Sequence, residues 1–436
     1  MKMNVFRENL KLGTLDIQAN EPFFGFTYDN EYLAQPTVLP LSLSLPLTES
    51  RYSGIQAAPY FEGLLPEGDA RNIISRRLGI PRNNSVKLLQ ALGRDCAGDI
   101  SIIDENEYPA PNSESDDNIQ MYSELDGGLL SIATRPHEEI SRLQEETRLS
   151  LAGAQEKIAL YHNEDKPIHE GWYVPLSGSP STHIIKPGIL DSRYPHLALN
   201  EFLCLRTAAK CEINTANVDI LFPENPLVIV RRYDRLYSDE KTGGLRKVTR
   251  LHQEDSCQAC GINSNMKYEH DGGPGFSKVH NILATHAKRP DIEIEMFMKW
   301  GLFNYLIGNC DAHAKNISIL HNMDGRVSLA PTYDIISTAV YSKTFGSKLS
   351  RSMGMKYGQH ENIDRINAED FILFARDFKI RVEEVKGIGE EIILNLPIAL
   401  AAAGQEAESK GFTASEEMVR RIMVGYKQRA AVLQSV

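Results

Sequence analysis

Asp311, Asn316 and Asp334 are the side chains of this sequence best suited to act together. The run Asn309-Cys310-Asp311-Ala312-His313-Ala314-Lys315-Asn316 leads into an apolar stretch, Ile317 to Leu320, and a polar turn, His321 to Arg326. A second apolar stretch, Val327 to Ala330, and Pro331-Thr332-Tyr333-Asp334 come next. Two apolar runs about a polar turn predict a hairpin. In an antiparallel hairpin the residue entering the first strand lies beside the one leaving the second, so Asn316 and Asp334 are expected to meet at its open end. Both offer hard oxygen donors, and Mg²⁺ is commonly held by few protein oxygens together with nucleotide phosphates. Asp311 is then a carboxylate placed to take a proton from a hydroxyl. Taken alone, the run favours the plain reading, in which Asp311 and His313 cap one turn and Asp334 begins another.

The upstream half of a nucleotide site appears in the matching order. Asp311 and Asn316 have the spacing of a protein-kinase catalytic loop, in which the Asp accepts the substrate proton and the Asn holds metal. Thr182-His183-Ile184-Ile185-Lys186 places a lysine at the end of an apolar strand, as in the kinase lysine that reaches the α- and β-phosphates, although a strand-end lysine is ordinarily just solvated. Ser150-Leu151-Ala152-Gly153-Ala154-Gln155-Glu156-Lys157 supplies small residues whose backbone N–H groups could approach phosphates. Val228-Ile229-Val230 runs into Arg231-Arg232-Tyr233-Asp234-Arg235, a polar strand end that would serve as an adenine hinge.

The elements that must position these groups are legible from periodicity. Strand-like runs at Ile158 to Tyr161, Thr182 to Ile185 and Pro226 to Val230 surround a helix from about His196 to Lys210, with Leu199, Phe202, Leu203, Leu205 and Ala209 as its apolar stripe. Thr37 to Leu47, an alternating Leu/Ser run between prolines, is expected to be an edge strand. Asp104 to Gln120 is polar and aperiodic and reads as a connection. Beyond Asp291 the character is helical, ending in Ser415 to Leu433. The expected architecture is α+β: a bilobal, protein-kinase-like fold with an extra N-terminal α/β module (1–110), a nucleotide-binding lobe (120–250) and a helical C-terminal lobe (251–436), with ATP between the lobes.

At 436 residues, 42% hydrophobic and 24% charged, the chain can bury a large core. A net charge of −11 excludes a surface that clings to nucleic acid throughout, but leaves room for a local basic patch. No uninterrupted run of 18 to 20 apolar residues is present, and Met1 to Leu10 has no signal-peptide core, so a cytoplasmic location and no membrane partner are expected. The six cysteines are scattered and read as reduced thiols; Cys257 and Cys260 form one CxxC, for which buried thiols compete with zinc or redox chemistry.

The strings SLAGAQEK at Ser150, HIIKPG at His183, NEFLCLRTA at Asn200, RRYDR at Arg231, RLHQEDSCQ at Arg250, KYEHDGGPG at Lys267, LIGNCDAHAKN at Leu306 and PTYDIIS at Pro331 together resemble the HipA family. GLLPEG at Gly63 and GRDCAGDI at Gly93 are similar to that family's N-terminal module. The resemblance implies a serine/threonine-protein kinase using ATP and Mg²⁺, acting as the toxin of a toxin–antitoxin pair. Its protein target would be glutamyl-tRNA synthetase, with arrested translation and persistence as the result. It also implies roles. Asp311 would be the catalytic base, Asn316 and Asp334 the metal ligands and Lys186 the phosphate lysine. Ala152, Gly153, Ala154, Gln155, Glu156 and Lys157 would form the phosphate loop, and Arg231, Arg232 and Tyr233 the hinge. His313, Ala314, Lys315 and Tyr333 would line the nucleotide site, and Ser150 would be autophosphorylated. A HipB-type antitoxin dimer, and operator DNA through it, are the implied partners. The basic loop by which family members touch DNA corresponds to Lys348 to Lys356, where only Lys348, Arg351 and Lys356 are charged.

Two alternatives stand beside this reading: a lipid or small-molecule phosphotransferase, and a catalytically silent corepressor. Gly272-Gly273-Pro274-Gly275 is either a phosphate cradle or a plain turn. Glu201 either pairs with Lys186 or is a solvated helix residue.

Overall fold

The computed structural model describes residues 2–18, 21, 23–107, 122–147, 152–153, 155–176, 178–188, 193–341 and 350–436. The chain forms two compact units: Met1–Pro187 with Arg231–Ser264 and Leu320–Gly325, and Gly188–Val230 with Asn265–Ile319 and Arg326–Val436. The N-terminal module and the first strands of the expected nucleotide-binding lobe therefore share one unit.

In the first unit the strands Lys2–Arg7, Leu10–Asp16, Gly25–Tyr28 and Ile100–Asp104 form an antiparallel sheet in which Lys2–Arg7 is central, paired with Leu10–Asp16 and with Ile100–Asp104. Its apolar face (Met3, Val5, Leu12, Leu15, Phe26) is buried with Tyr60 and Phe61 of the helix Gly54–Gly63 and with Leu88, Leu89 and Leu92 of the helix Ser85–Leu92. A second set of strands runs Tyr122–Glu124, Trp172–Pro175, Ile158–His162, His183–Pro187, each antiparallel to its neighbour. The expected strand at Thr37 to Leu47 does not form. Pro40 and Pro46 cannot donate to a ladder. Ser42 and Ser44 turn their hydroxyls to other groups: Ser42 Oγ to Glu254, Ser44 Oγ to the Gln258 carbonyl at 2.7 Å. A single bridge, Ser42 to Leu45, is what remains.

The second unit is mainly helical. The helix expected at His196 to Lys210 is observed as Leu197–Lys210, and the C-terminal one as Ser415–Gln434. The helix Val382–Ser409 is by length and composition apolar enough to cross a membrane. Here it buries Val385, Ile392, Leu396, Leu400 and Ala403 and packs on the Leu197–Lys210 and Ser415–Gln434 helices, with Arg206 paired to Glu406 at 2.9 Å. Phe276, Phe297, Phe374, Phe378 and Tyr357 form an aromatic cluster around the helix Pro290–Ile307, with ring centroids 4.8 to 5.8 Å apart. Truncating one such ring costs about 3–5 kcal/mol, so this helix is a firm base for the loop that leaves its C-terminal end.

Candidate active site

The Pro290–Ile307 helix ends at Gly308, and its last carbonyls are taken up from outside: Arg429 Nε donates to Leu306 O at 2.9 Å and Ser337 Oγ to Ile307 O at 2.6 Å. The chain then enters the 309–316 loop, which is tied internally. Asn309 Nδ2 donates to Asn304 Oδ1 at 2.8 Å, and Asn309 Oδ1 accepts from the Asp311 N–H at 3.0 Å. Asn316 Nδ2 donates to the Asp311 carbonyl at 2.9 Å. That last bond commits the nitrogen end of the Asn316 amide, so its oxygen is the end offered to a ligand. Gly354 closes on the loop so tightly that a Cβ there would lie 2.4 Å from the Ala312 carbonyl.

Asp311 is set apart from its neighbours by exposure. Ala312 to Ile319 are buried, whereas the Asp311 side chain is 52% exposed. Its Oδ1 accepts from the Tyr268 hydroxyl at 2.5 Å, and His313 Nε2 stands 3.9 Å away. Tyr268 meets the His313 ring edge-on with centroids 5.1 Å apart, and the Lys267 carbonyl accepts from the Ala314 N–H at 3.2 Å. The 267–275 segment is thus the neighbour of the 309–316 loop. Its glycines make a turn: Gly273 N donates to Tyr268 O at 2.9 Å, and a Cβ on Gly275 would strike the Glu269 carboxylate. That is the plain-turn reading of Gly272 to Gly275.

The hairpin is present as Ser318–His321 and Val327–Leu329, with Ala330 N donating to Ser318 O at 2.9 Å. Tyr333 spans its open end. Its hydroxyl donates to Lys315 O at 2.8 Å and shares a bond with Ser318 Oγ at 2.6 Å. This brings the residue before Asp334 against the residues flanking Asn316. Asp334 has φ 54°, a left-handed conformation uncommon for a non-glycine residue, and the segment after it is clamped by Asn200. Asn200, fully buried, donates to Ser337 O at 3.1 Å and accepts from Ser337 N at 3.0 Å. An amide oxygen and a carboxylate of this kind suit Mg²⁺, which needs few protein ligands. Among the described residues no group of three or more His, Cys, Asp or Glu is arranged to hold a metal.

In the first unit Lys186 lies on the strand His183–Pro187 and is 5% exposed. The described part of the small-residue loop, Ala152, Gly153 and Gln155 to Lys157, folds back on itself: Lys157 Nζ donates to Ala152 O at 2.9 Å. Gly153 has φ 107° and any Cβ would lie 2.7 Å from that amine, so only glycine fits. Glu67 N, in the GLLPEG motif, donates to Gly153 O at 3.0 Å, which ties the N-terminal module to the loop. Ser150 and Ala154 lie outside the described residues.

The hinge residues divide. Arg231 is half-exposed and pairs with Glu164 at 2.7 Å, and the Tyr233 hydroxyl bonds Gln253. Arg232 does not face a ligand with its side chain: it is buried, bound to Asp234 at 2.8 Å and to Ser181 Oγ at 2.9 Å, with its N–H on Thr182 O. Only its backbone carbonyl remains a hinge candidate, because the N–H is spent on Thr182 and the guanidinium on Asp234 and Ser181. Asp95 completes the cluster, accepting from Arg235 at 3.1 Å and from Arg250 at 3.0 Å. Glu201 is 1% exposed, which removes the solvated alternative. Sequence reading missed Tyr268, Asn200 and Asp95. Each sits in a string that stood out, but only the fold says what it touches.

Residues 149–400 match the HipA-like C-terminal domain and residues 3–103 the HipA N-terminal domain. A putative kinase of Sinorhizobium fredii, Y4mE, is 35% identical over 359 residues, 81% of this chain and 80% of its own length. The serine/threonine-protein kinase toxin HipA of Shewanella oneidensis is 31% identical, covering 76% of this chain and 74% of the relative. Among solved structures, the S. oneidensis complex of HipA, HipB and operator DNA matches with a TM-score of 0.77 at 24% identity, over 100% of this chain and 99% of that one. The likeness shows the fold, which is the mixed, kinase-like architecture expected.

Proposed function

The chain belongs to the HipA family of serine/threonine kinase toxins, and on that premise we propose that it transfers the γ-phosphoryl group of ATP to a protein serine. The observation that carries the reading is the 309–316 loop: one exposed carboxylate, Asp311, on an otherwise buried segment whose Asn316 amide is already oriented by the Asp311 carbonyl. Asp311 accepts the serine proton as the oxygen attacks phosphorus and the ADP oxygen leaves. Tyr268 holds one Asp311 oxygen, which directs the other toward the incoming hydroxyl. Bound ATP supplies the phosphoryl group and bound Mg²⁺ neutralises its charge, with Asn316 and Asp334 as the oxygen donors that would hold the ion. Lys186 would contact the phosphates, residues 152–157 would cover them, and Arg231 to Tyr233 would meet the base through backbone groups.

The finer assignments rest on the family likeness: glutamyl-tRNA synthetase as target, autophosphorylation at Ser150, growth arrest and persistence, and a cytoplasmic location. A HipB-type antitoxin is the expected partner, and DNA is reached through it. Arg351 of the basic loop is engaged by Asp364 at 2.7 Å, which favours the antitoxin over this loop as the DNA reader. The test is incubation of the chain with γ-labelled ATP and Mg²⁺ beside Asp311→Ala. Label in protein serine with the wild type alone supports the proposal; label in a lipid or small molecule, or none with growth arrest unchanged in Asp311→Ala, overturns it.

A further inference from the structure

Behind Asp311 stand two buried amides, Asn309 and, on the last turn of the helix Pro290–Ile307, Asn304. Asn304 Nδ2 donates to Trp300 O at 2.8 Å, and Asn304 Oδ1 accepts from Asn309 Nδ2 at 2.8 Å. Asn309 Oδ1 in turn accepts the Asp311 N–H at 3.0 Å. A carbonyl only accepts and a peptide N–H only donates, so the two ends of this chain of bonds allow each amide one orientation. Turning either amide over would set like groups face to face at a buried position, which is costly.

The neighbouring backbone groups are held in other ways. Gly308 N and Asn309 N donate to Asn304 O at 3.1 and 2.9 Å, closing the helix, and Cys310 N donates to Thr338 Oγ1 at 2.8 Å. The Asp311 carbonyl accepts from His313 N and from Asn316 Nδ2, each at 2.9 Å. The Asp311 peptide is therefore gripped on its carbonyl side by Asn316 and on its N–H side by Asn309. An Asx turn at Asn309 needs the amide oxygen alone. The second bond, from its nitrogen to Asn304, ties that turn to a helix seated on the aromatic cluster. An exposed carboxylate has little packing to fix it, and a misplacement of about 1 Å at a reacting group can cost on the order of a hundredfold in rate. The two amides supply the missing fixity from beneath.

We propose that Asn309, braced by Asn304, is the positioning residue that sets Asp311 for proton transfer, a role that rests on the kinase reading of this loop. The test is steady-state phosphate transfer from ATP by the full chain carrying Asn309→Ala, Asn304→Ala or both, below the melting temperature of the least stable variant. Hydrogen exchange over residues 309–316 is followed alongside. Asn309→Ala should lower kcat about tenfold or more while the KM for ATP stays within about twofold, and exchange of the Asp311 amide should quicken. Asn304→Ala should lower kcat in the same direction, and the double variant should lose no more than Asn309→Ala, because the two amides act as one unit. Where Asn304→Ala does not fold, Asn309→Asp takes its place: it keeps the oxygen of the turn and loses the donor to Asn304, and its kcat should fall too. A wild-type kcat in Asn309→Ala or Asn309→Asp overturns the proposal. So do a rise in KM as large as the fall in kcat and losses that multiply in the double variant, since these describe a merely structural role. A wild type that transfers no phosphate sinks the kinase reading itself, whereas an active wild type matched by its variants sinks the positioning role alone.

Discussion

The Tyr268 hydroxyl donates to Asp311 Oδ1 at 2.5 Å, joining the 267–275 turn to the one exposed carboxylate of the 309–316 loop. Tyr268→Phe keeps the ring against His313 and deletes this bond. A hydrogen bond to a charged group is worth about 1.5–3 kcal/mol, and part of it is expected in the transition state, where Asp311 must be aimed. The expected result is a fall in kcat of about tenfold or more with the KM for ATP nearly unchanged, measured by steady-state phosphorylation. A change in KM alone would assign Tyr268 to nucleotide binding instead.

Asn200→Ala removes both bonds to Ser337, leaving a buried N–H and carbonyl unpaired behind the Asp334 segment. We expect a loss of about 2–3 kcal/mol in urea unfolding and a several-fold higher Mg²⁺ requirement for activity, because Asp334 holds its left-handed backbone only while its surroundings enforce it. An unchanged Mg²⁺ dependence would separate the clamp from the metal site.

Asp95 is fully enclosed. Burial by itself would raise its carboxyl, but Arg250, Arg235 and Arg232 hold it below the usual carboxylate range. Asp95→Asn leaves the buried guanidiniums of Arg232 and Arg235 with Asp234 alone and takes the carboxylate partner from the partly buried Arg250. Breaking a buried pair in this way costs about 3–5 kcal/mol, and thermal unfolding should begin roughly 10 °C lower. Because Arg232 directly follows Arg231 in the proposed hinge, the KM for ATP should rise more than kcat falls.

His183 lies in the first unit between the rings of His162 and Trp172, with centroids 5.4 and 5.3 Å away. Burial, then the charges of His162 and Arg231, push its pKa from 6.5 down to about 3. The folded form therefore resists a proton that the unfolded chain accepts. Stability from this group is complete above pH 6.5 and is lost as pH falls toward 3, by about 2 kcal/mol at pH 5. Denaturant titrations from pH 7 to 5 should show that slope, and His183→Gln should flatten it.

Local structure was legible in the sequence because it depends on spacing. The 309–316 loop, the hairpin after it, the strand carrying Lys186 and the helix after His196 are all set by residues a few positions apart, whose turns and periodicities obey backbone geometry. The edge strand at Thr37 to Leu47 failed for a reason equally local in kind but tertiary in outcome. Its serines had distant partners, Glu254 and Gln258, that outcompeted a ladder already short of donors at Pro40 and Pro46.

Burial and long-range pairing were decided only by the folded chain. RRYDR reads the same whether its arginines meet a ligand or an acid; the fold turns Arg232 onto Asp234 within the motif and Arg235 onto Asp95, more than a hundred residues upstream. Glu201 carries no local mark of being enclosed, nor does Tyr268 announce that its hydroxyl ends on Asp311. Spacing along the chain determined which groups could react; which of them water still reaches, and which neighbour holds each in place, came from the packing of segments far apart in sequence, where desolvation makes a charge or hydroxyl either paired or expensive.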